Sequence, residues 1–135
     1  MKRQTRSEAR ERAFSLIFQT GENISDVEFL IENMLEEYPE SADNIRYINE
    51  AVLGVIEKKD EIKAVIENAI DGKRDYQRLS KAVRVILMLA IYEMKYIEDV
   101  PEKVAVNEAV ELSKKYAEEE APAFVNGVLS AVISK

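Results

Sequence analysis

Five basic side chains fall within the first twelve residues: Lys2, Arg3, Arg6, Arg10 and Arg12. Only Glu8 and Glu11 oppose them, which leaves that segment at +3. Arg3, Arg6 and Arg10 recur at three- and four-residue spacing, which on a helix places them along one face. The segment then runs into Phe14 and Phe18. Arginine forks suit phosphate oxygens, and aromatic rings stack on nucleobases, so these residue types can hold single-stranded nucleic acid. The remaining residues have the opposite sign, with 14 basic against 24 acidic groups and a total of −7 for the chain. A basic end on an acidic body suggests a polyanion at one end and a different partner elsewhere. The competing reading is a solvated helix start whose charges only keep it in water.

Other chemistries are excluded by what the 135 residues lack. With Cys 0 and His 0 there is no disulfide, thiol nucleophile, Cys/His zinc site or imidazole acid–base pair. Gly21, Gly54, Gly72 and Gly127 are too scattered for a phosphate-cradling loop, and no calcium loop occurs. Carboxylate pairs can always be found among 26 acidic residues, and no Ser–Lys spacing singles out a nucleophile. The expectation is a non-enzymatic protein that needs no cofactor and no metal. The longest apolar run, Val85 to Tyr92, is far short of the ~20 residues that span a bilayer. Met1 is followed by charged residues rather than a signal-peptide core, so no membrane role and a cytoplasmic location are expected.

The elements that would position these side chains read as helices almost throughout. A first helix beginning near Thr5 or Ser7 and stopping at Gly21 has the core stripe Ala9, Ala13, Leu16 and Ile17. Ser25-Asp26-Val27-Glu28 reads as a capping box for a second, carried by Phe29, Leu30, Met34 and Leu35 and stopped at Tyr38-Pro39. The third buries Ile45, Ile48, Val52, Val55 and Ile56. Asp60 caps a fourth, with Ile62, Val65, Ile66, Ala69 and Ile70, which closes at Asp71-Gly72. Leu79-Ser80 opens the most apolar helix, whose Val83, Ile86, Leu87, Ala90, Ile91 and Met94 mark it as central. After the turn at Pro101 a sixth helix reaches Tyr116, and a last one with Val125, Val128, Leu129, Val132 and Ile133 follows Pro122. About seven helices with short connections predict one compact all-α domain in two packed halves, about 1–74 and 75–135. Gly127 inside the last helix costs ~1 kcal/mol relative to Ala, so it is expected where another helix approaches closely.

Three stretches are specific enough to compare with known families. They are the arm running into Ala13-Phe14-Ser15-Leu16-Ile17-Phe18-Gln19, the segment Val100-Pro101 through Lys103-Val104-Ala105-Val106-Asn107-Glu108-Ala109 to Leu112, and Phe124-Val125-Asn126-Gly127-Val128-Leu129. With Arg78-Leu79-Ser80 and Leu89-Ala90-Ile91-Tyr92-Glu93 between them, the chain resembles the NusB family of transcription antitermination factors, in order along nearly its whole length. The resemblance implies an all-helical fold of two small bundles. It implies a partner, the ribosomal protein NusE, with which such proteins bind the single-stranded boxA element of nascent RNA. It also implies a place in the RNA polymerase antitermination complex that supports ribosomal RNA synthesis.

Carried over residue by residue, the resemblance implies RNA contacts from Lys2, Arg3, Arg6, Arg10, Phe18 and Phe124. Two positions depart from the family pattern. Val83-Arg84 stands where an acidic residue followed by Arg or Lys is common, and Met88 stands where Arg is usual. Phe124 also admits a second reading as core, although it sits at the margin of the Val125–Val132 stripe near a helix start whose N–H groups could meet a phosphate. Two other functions fit the same fold. One is a helical protein-binding adaptor whose arm meets an acidic partner. The other is a NusB-like module working with a separate RNA-modifying enzyme such as an RNA methyltransferase.

Overall fold

The computed structural model describes residues 3–20, 26–70, 72 and 74–134. Among these, seven α-helices and two 3-10 turns occur and no strand is present. The helices are α1 (Arg6–Thr20), α2 (Val27–Glu37), α3 (Ile45–Glu57), α4 (Lys59–Ile70), α5 (Lys81–Tyr96), α6 (Glu102–Tyr116) and α7 (Ala121–Ser134). The 3-10 turns are Pro39–Asn44 and Tyr76–Arg78. The all-α expectation holds.

The chain forms two compact units, Met1–Glu57 and Lys58–Lys135. The halves expected to part near residue 75 therefore divide earlier. The reason is α4, whose Ile62, Ile66 and Ile70 form one buried i, i+4 row and which packs on α5 and α7.

In the first unit, α1 begins where Thr5 and Glu8 cap each other. The Thr5 N–H donates to Glu8 Oε1 (2.9 Å) and the Glu8 N–H donates to Thr5 Oγ1 (3.0 Å). This reciprocal pair satisfies two orphan donors and sets Arg6 as the first helical residue. Ala9, Ala13, Leu16 and Ile17 are buried, as their spacing predicted, and α1 packs on α2 and α3. On α3 the buried row is Tyr47, Ile48, Ala51, Val52 and Val55. On α2 the buried residues are Val27 and Met34, Leu30 and Leu35 are half-buried, and Phe29, read as part of the helix's apolar series, is 64% exposed. Asp26 is the N-cap of α2 and makes no side-chain cap bond, while the expected cap Ser25 and the stop Gly21 lie outside the described residues.

In the second unit, α5 is central, as its apolar surround implied. Ten of its residues are buried, and it packs against α4, α6 and α7. Its start is set by Ser80, whose Oγ accepts from the Val83 N–H at 3.2 Å. Gly72 adopts φ +75 after α4, the left-handed conformation that glycine tolerates at a helix stop. On α6 the buried stripe is Ala105, Val106, Ala109 and Leu112, and on α7 it is Ala121, Val125, Val128 and Leu129. Gly127 is on the opposite side of α7. A Cβ placed there would meet nothing within 4 Å, so the close helix approach expected at Gly127 does not occur among the described residues. Its two valine neighbours at 125 and 128 take the buried face instead.

Candidate nucleic-acid interface

The arm is ordered from its root. Gln4 is buried, and Arg3 on one side and Arg6 on the other are exposed. The Arg6 guanidinium carbon lies 4.5 Å from the centroid of the Tyr47 ring on α3, and its Nε donates to Asn44 Oδ1 at 3.4 Å. Such a cation–π contact restrains the side chain while keeping it charged. Lys2 lies outside the described residues.

Arg10 behaves differently. It is only 4% exposed, and its guanidinium carbon is 5.9 Å from the same Tyr47 centroid. Arg10, expected beside Arg3 and Arg6 as an RNA contact on one helix face, is therefore corrected to a buried position: one turn separates it from Arg6, and that turn carries it from the rim into the α1–α3 packing. Arg12 is also engaged, with its guanidinium carbon 4.1 Å from the Tyr38 ring and its Nη2 3.5 Å from Glu11 Oε1. Of the basic residues in the described arm, Arg3 and Arg6 are the exposed ones.

Phe18 lies in the last turn of the same helix, 38% exposed, with its ring 6.0 Å from that of buried Phe14. Three turns separate it from Arg6, about 18 Å along the axis and roughly 120° around it. Arg6 and Phe18 are thus two stations on one helix rather than one cluster.

Phe124 belongs to the second unit and is half-buried at the first turn of α7. The Arg74 guanidinium carbon lies 4.9 Å from its ring centroid. Both border a cleft of about 40 Å³ that Arg78, Ser80, Glu118 and Glu120 also line. The start of α7 offers fewer free donors than a helix start can, because two of its N–H groups are engaged within the chain. The Ala121 N–H donates to Glu118 O (2.9 Å), Pro122 has no N–H, and the Phe124 N–H donates to Glu120 O (3.4 Å). The Ala123 N–H, the Phe124 ring and its arginine neighbours remain for a contact there.

The positions that depart from the family pattern are absorbed by packing. Val83 and Met88 are both buried on α5, where an apolar side chain needs no partner. Arg84 remains at the surface margin with its guanidinium carbon 5.9 Å from the Tyr76 ring. Elsewhere in this unit the Tyr96 O–H donates to Glu61 Oε2 at 2.7 Å, which raises the phenol above its ordinary range. Among the described residues no carboxylate cluster could hold a metal ion.

Sequence reading missed Tyr47, Asn44, Gln4 and Arg74. Tyr47 had a signal, since it begins the row Tyr47, Ala51, Val55, spaced four residues apart beside the recognised α3 stripe. Arg74 had none: it lies in a polar connection whose fold only the packing of α7 reveals.

Fold and site together define a small all-helical protein that presents an ordered basic helix start. Residues 7–134 match the model of the NusB family, and the chain belongs to that family. It is 40% identical over 130 residues to the transcription antitermination protein NusB of Clostridium novyi (strain NT), covering 95% of this chain and 97% of that protein. Among solved structures, NusB of T. maritima matches with a TM-score of 0.80 at 30% identity, over 99% of this chain and 94% of the other. A structure of the antitermination factors NusB and NusE in complex with dsRNA matches with a TM-score of 0.78 at 27% identity, over 96% of each chain. Among the described residues no helix is long and apolar enough to cross a membrane.

Proposed function

We propose that this chain is a transcription antitermination factor that binds boxA-type single-stranded RNA together with the ribosomal protein NusE, in the RNA polymerase antitermination complex that supports ribosomal RNA synthesis. The observation that carries the reading is the arm: in a chain matching the NusB family over residues 7–134, Arg6 is exposed and held over Tyr47 at the capped start of α1. A restrained, charged fork is what backbone phosphates reward, and the exposed ring of Phe18 offers a base-stacking surface further along the helix. Lys2 and Arg3 add positive charge ahead of the helix in sequence, and Phe124 with Arg74 supplies an aromatic–cation surface in the second unit. Arg10 contributes by sharing the Tyr47 ring. The acidic remainder of the chain disfavours bulk nucleic acid and favours a basic protein partner such as NusE. The role is regulatory rather than catalytic, and its setting is the cytoplasm.

Titrating a short single-stranded boxA RNA against the chain, with and without NusE, tests this reading. Weak binding alone and tighter binding with NusE support it. A protein-binding adaptor would take up a protein partner and leave the RNA unbound in both titrations.

A further inference from the structure

The root of the arm is held by a turn that carries no positive charge. Gln4 precedes the first helix, yet it is only 9% exposed. Its backbone N–H donates to Asp43 Oδ2 (3.1 Å) and its side-chain Nε2 donates to Ser41 Oγ (2.7 Å). Asn44 Nδ2 donates to Gln4 O (3.2 Å) and to Gln4 Oε1 (3.1 Å). The oxygen of that same amide accepts from Arg6 Nε. One planar group thus ties the backbone of residue 4 and the guanidinium of residue 6 to the turn Pro39–Asn44, some forty positions along the chain. The contact to Arg6 is made by Nε, not by the terminal nitrogens that form the phosphate-gripping fork. At 3.4 Å it is long for a hydrogen bond, so its effect is on direction rather than on strength.

We infer that Asn44 is a positioning residue for Arg6: it presets the guanidinium before RNA arrives and raises RNA affinity without touching RNA. A long side chain ordered only on binding loses affinity to that ordering, and one ordered beforehand does not. Tyr47 supplies the surface on which Arg6 rests, and Asn44, joined to the buried Gln4, sets where along that surface the charge stands. This inference rests on the reading of the arm as an RNA contact.

A double-mutant cycle tests it, with a short single-stranded boxA RNA as probe and NusE present throughout. Asn44→Ala is expected to weaken RNA binding about fivefold. The log–log salt slope should be unchanged, because no phosphate contact is removed. Arg6→Ala should weaken binding and make the slope shallower by ~0.7. Added to Arg6→Ala, the Asn44→Ala change should bring no further loss. An equal loss from Asn44→Ala in both backgrounds would overturn the inference, because Asn44 would then act independently of Arg6. An effect of Arg6→Ala with none from Asn44→Ala would also overturn it while leaving the arm as an RNA contact. No effect of Arg6→Ala on affinity or slope would overturn both. Should Asn44→Ala fail to fold by urea titration, Gln4→Ala goes through the same cycle, with the same dependence on Arg6 expected.

Discussion

Arg6 and Arg10 share a ring and part company at the surface, and that divergence separates binding from stability. Arg6→Ala removes an exposed charge, so the urea midpoint should stay within the range of ordinary surface changes, about ±0.5 kcal/mol. Its RNA salt slope should become shallower by ~0.7, one single-strand phosphate contact. Arg10→Ala instead opens a gap beside Tyr47 in the α1–α3 packing, and its main effect should be a lowered midpoint. Phe124 divides along the same line. A fully buried Phe→Ala costs ~3–5 kcal/mol, whereas loss of a stacked base costs ~1–3 kcal/mol of binding. Because Phe124 is half-buried with Arg74 over its ring, Phe124→Ala should lower RNA affinity clearly and the midpoint only slightly. A large midpoint drop with intact RNA affinity would return Phe124 to the core.

At the scale of elements, Gly127 makes the sharpest prediction. It lies inside α7, faces open space and carries the helix penalty of glycine without any packing return from the described residues. Gly127→Ala should therefore raise stability by roughly 0.5–1 kcal/mol, read as a higher urea midpoint. Unchanged or lower stability would mean that the helix is not regular at that point. The Tyr96–Glu61 bond makes a second, pH-dependent one, since it ties α5 to α4. The raised phenol pKa means the bond's contribution is present below the unfolded value of 10.0 and is lost as pH rises through the higher folded value. Glu61→Gln should bring the Tyr96 titration, followed by NMR, back down towards the ordinary value. The helices themselves were legible from their residues. The α1 stripe, the Ser80 cap and the Gly72 stop depend on neighbours within four positions, and those are visible in a linear chain. What Gly127 faces depends on which side of α7 is buried, and a glycine has no side chain to betray that.

For the molecule as a whole, the legible and the hidden parts of the site divide by the same rule. The presence of a basic helix with aromatics was readable from spacing and composition. Its supports were not, because Asn44 and Tyr47 reach the arm across about forty residues. The burial of Arg10 runs against the ordinary exposure of arginine, so composition pointed the wrong way. The division of the chain at Lys58 was hidden for a similar reason: α4 ends in a loop that looks like a boundary, yet its isoleucine row belongs with α5 and α7.

The central claim is that RNA and NusE are bound together by one chain whose basic arm and acidic body serve different partners. If the two ligands are coupled, RNA must strengthen NusE binding by the same factor by which NusE strengthens RNA binding. The measurement is a calorimetric titration of NusE into this chain, with and without saturating boxA RNA, at one salt concentration. The account predicts tighter NusE binding in the presence of RNA, by the factor found in the reverse titration. Equal NusE affinities in the two titrations would contradict it.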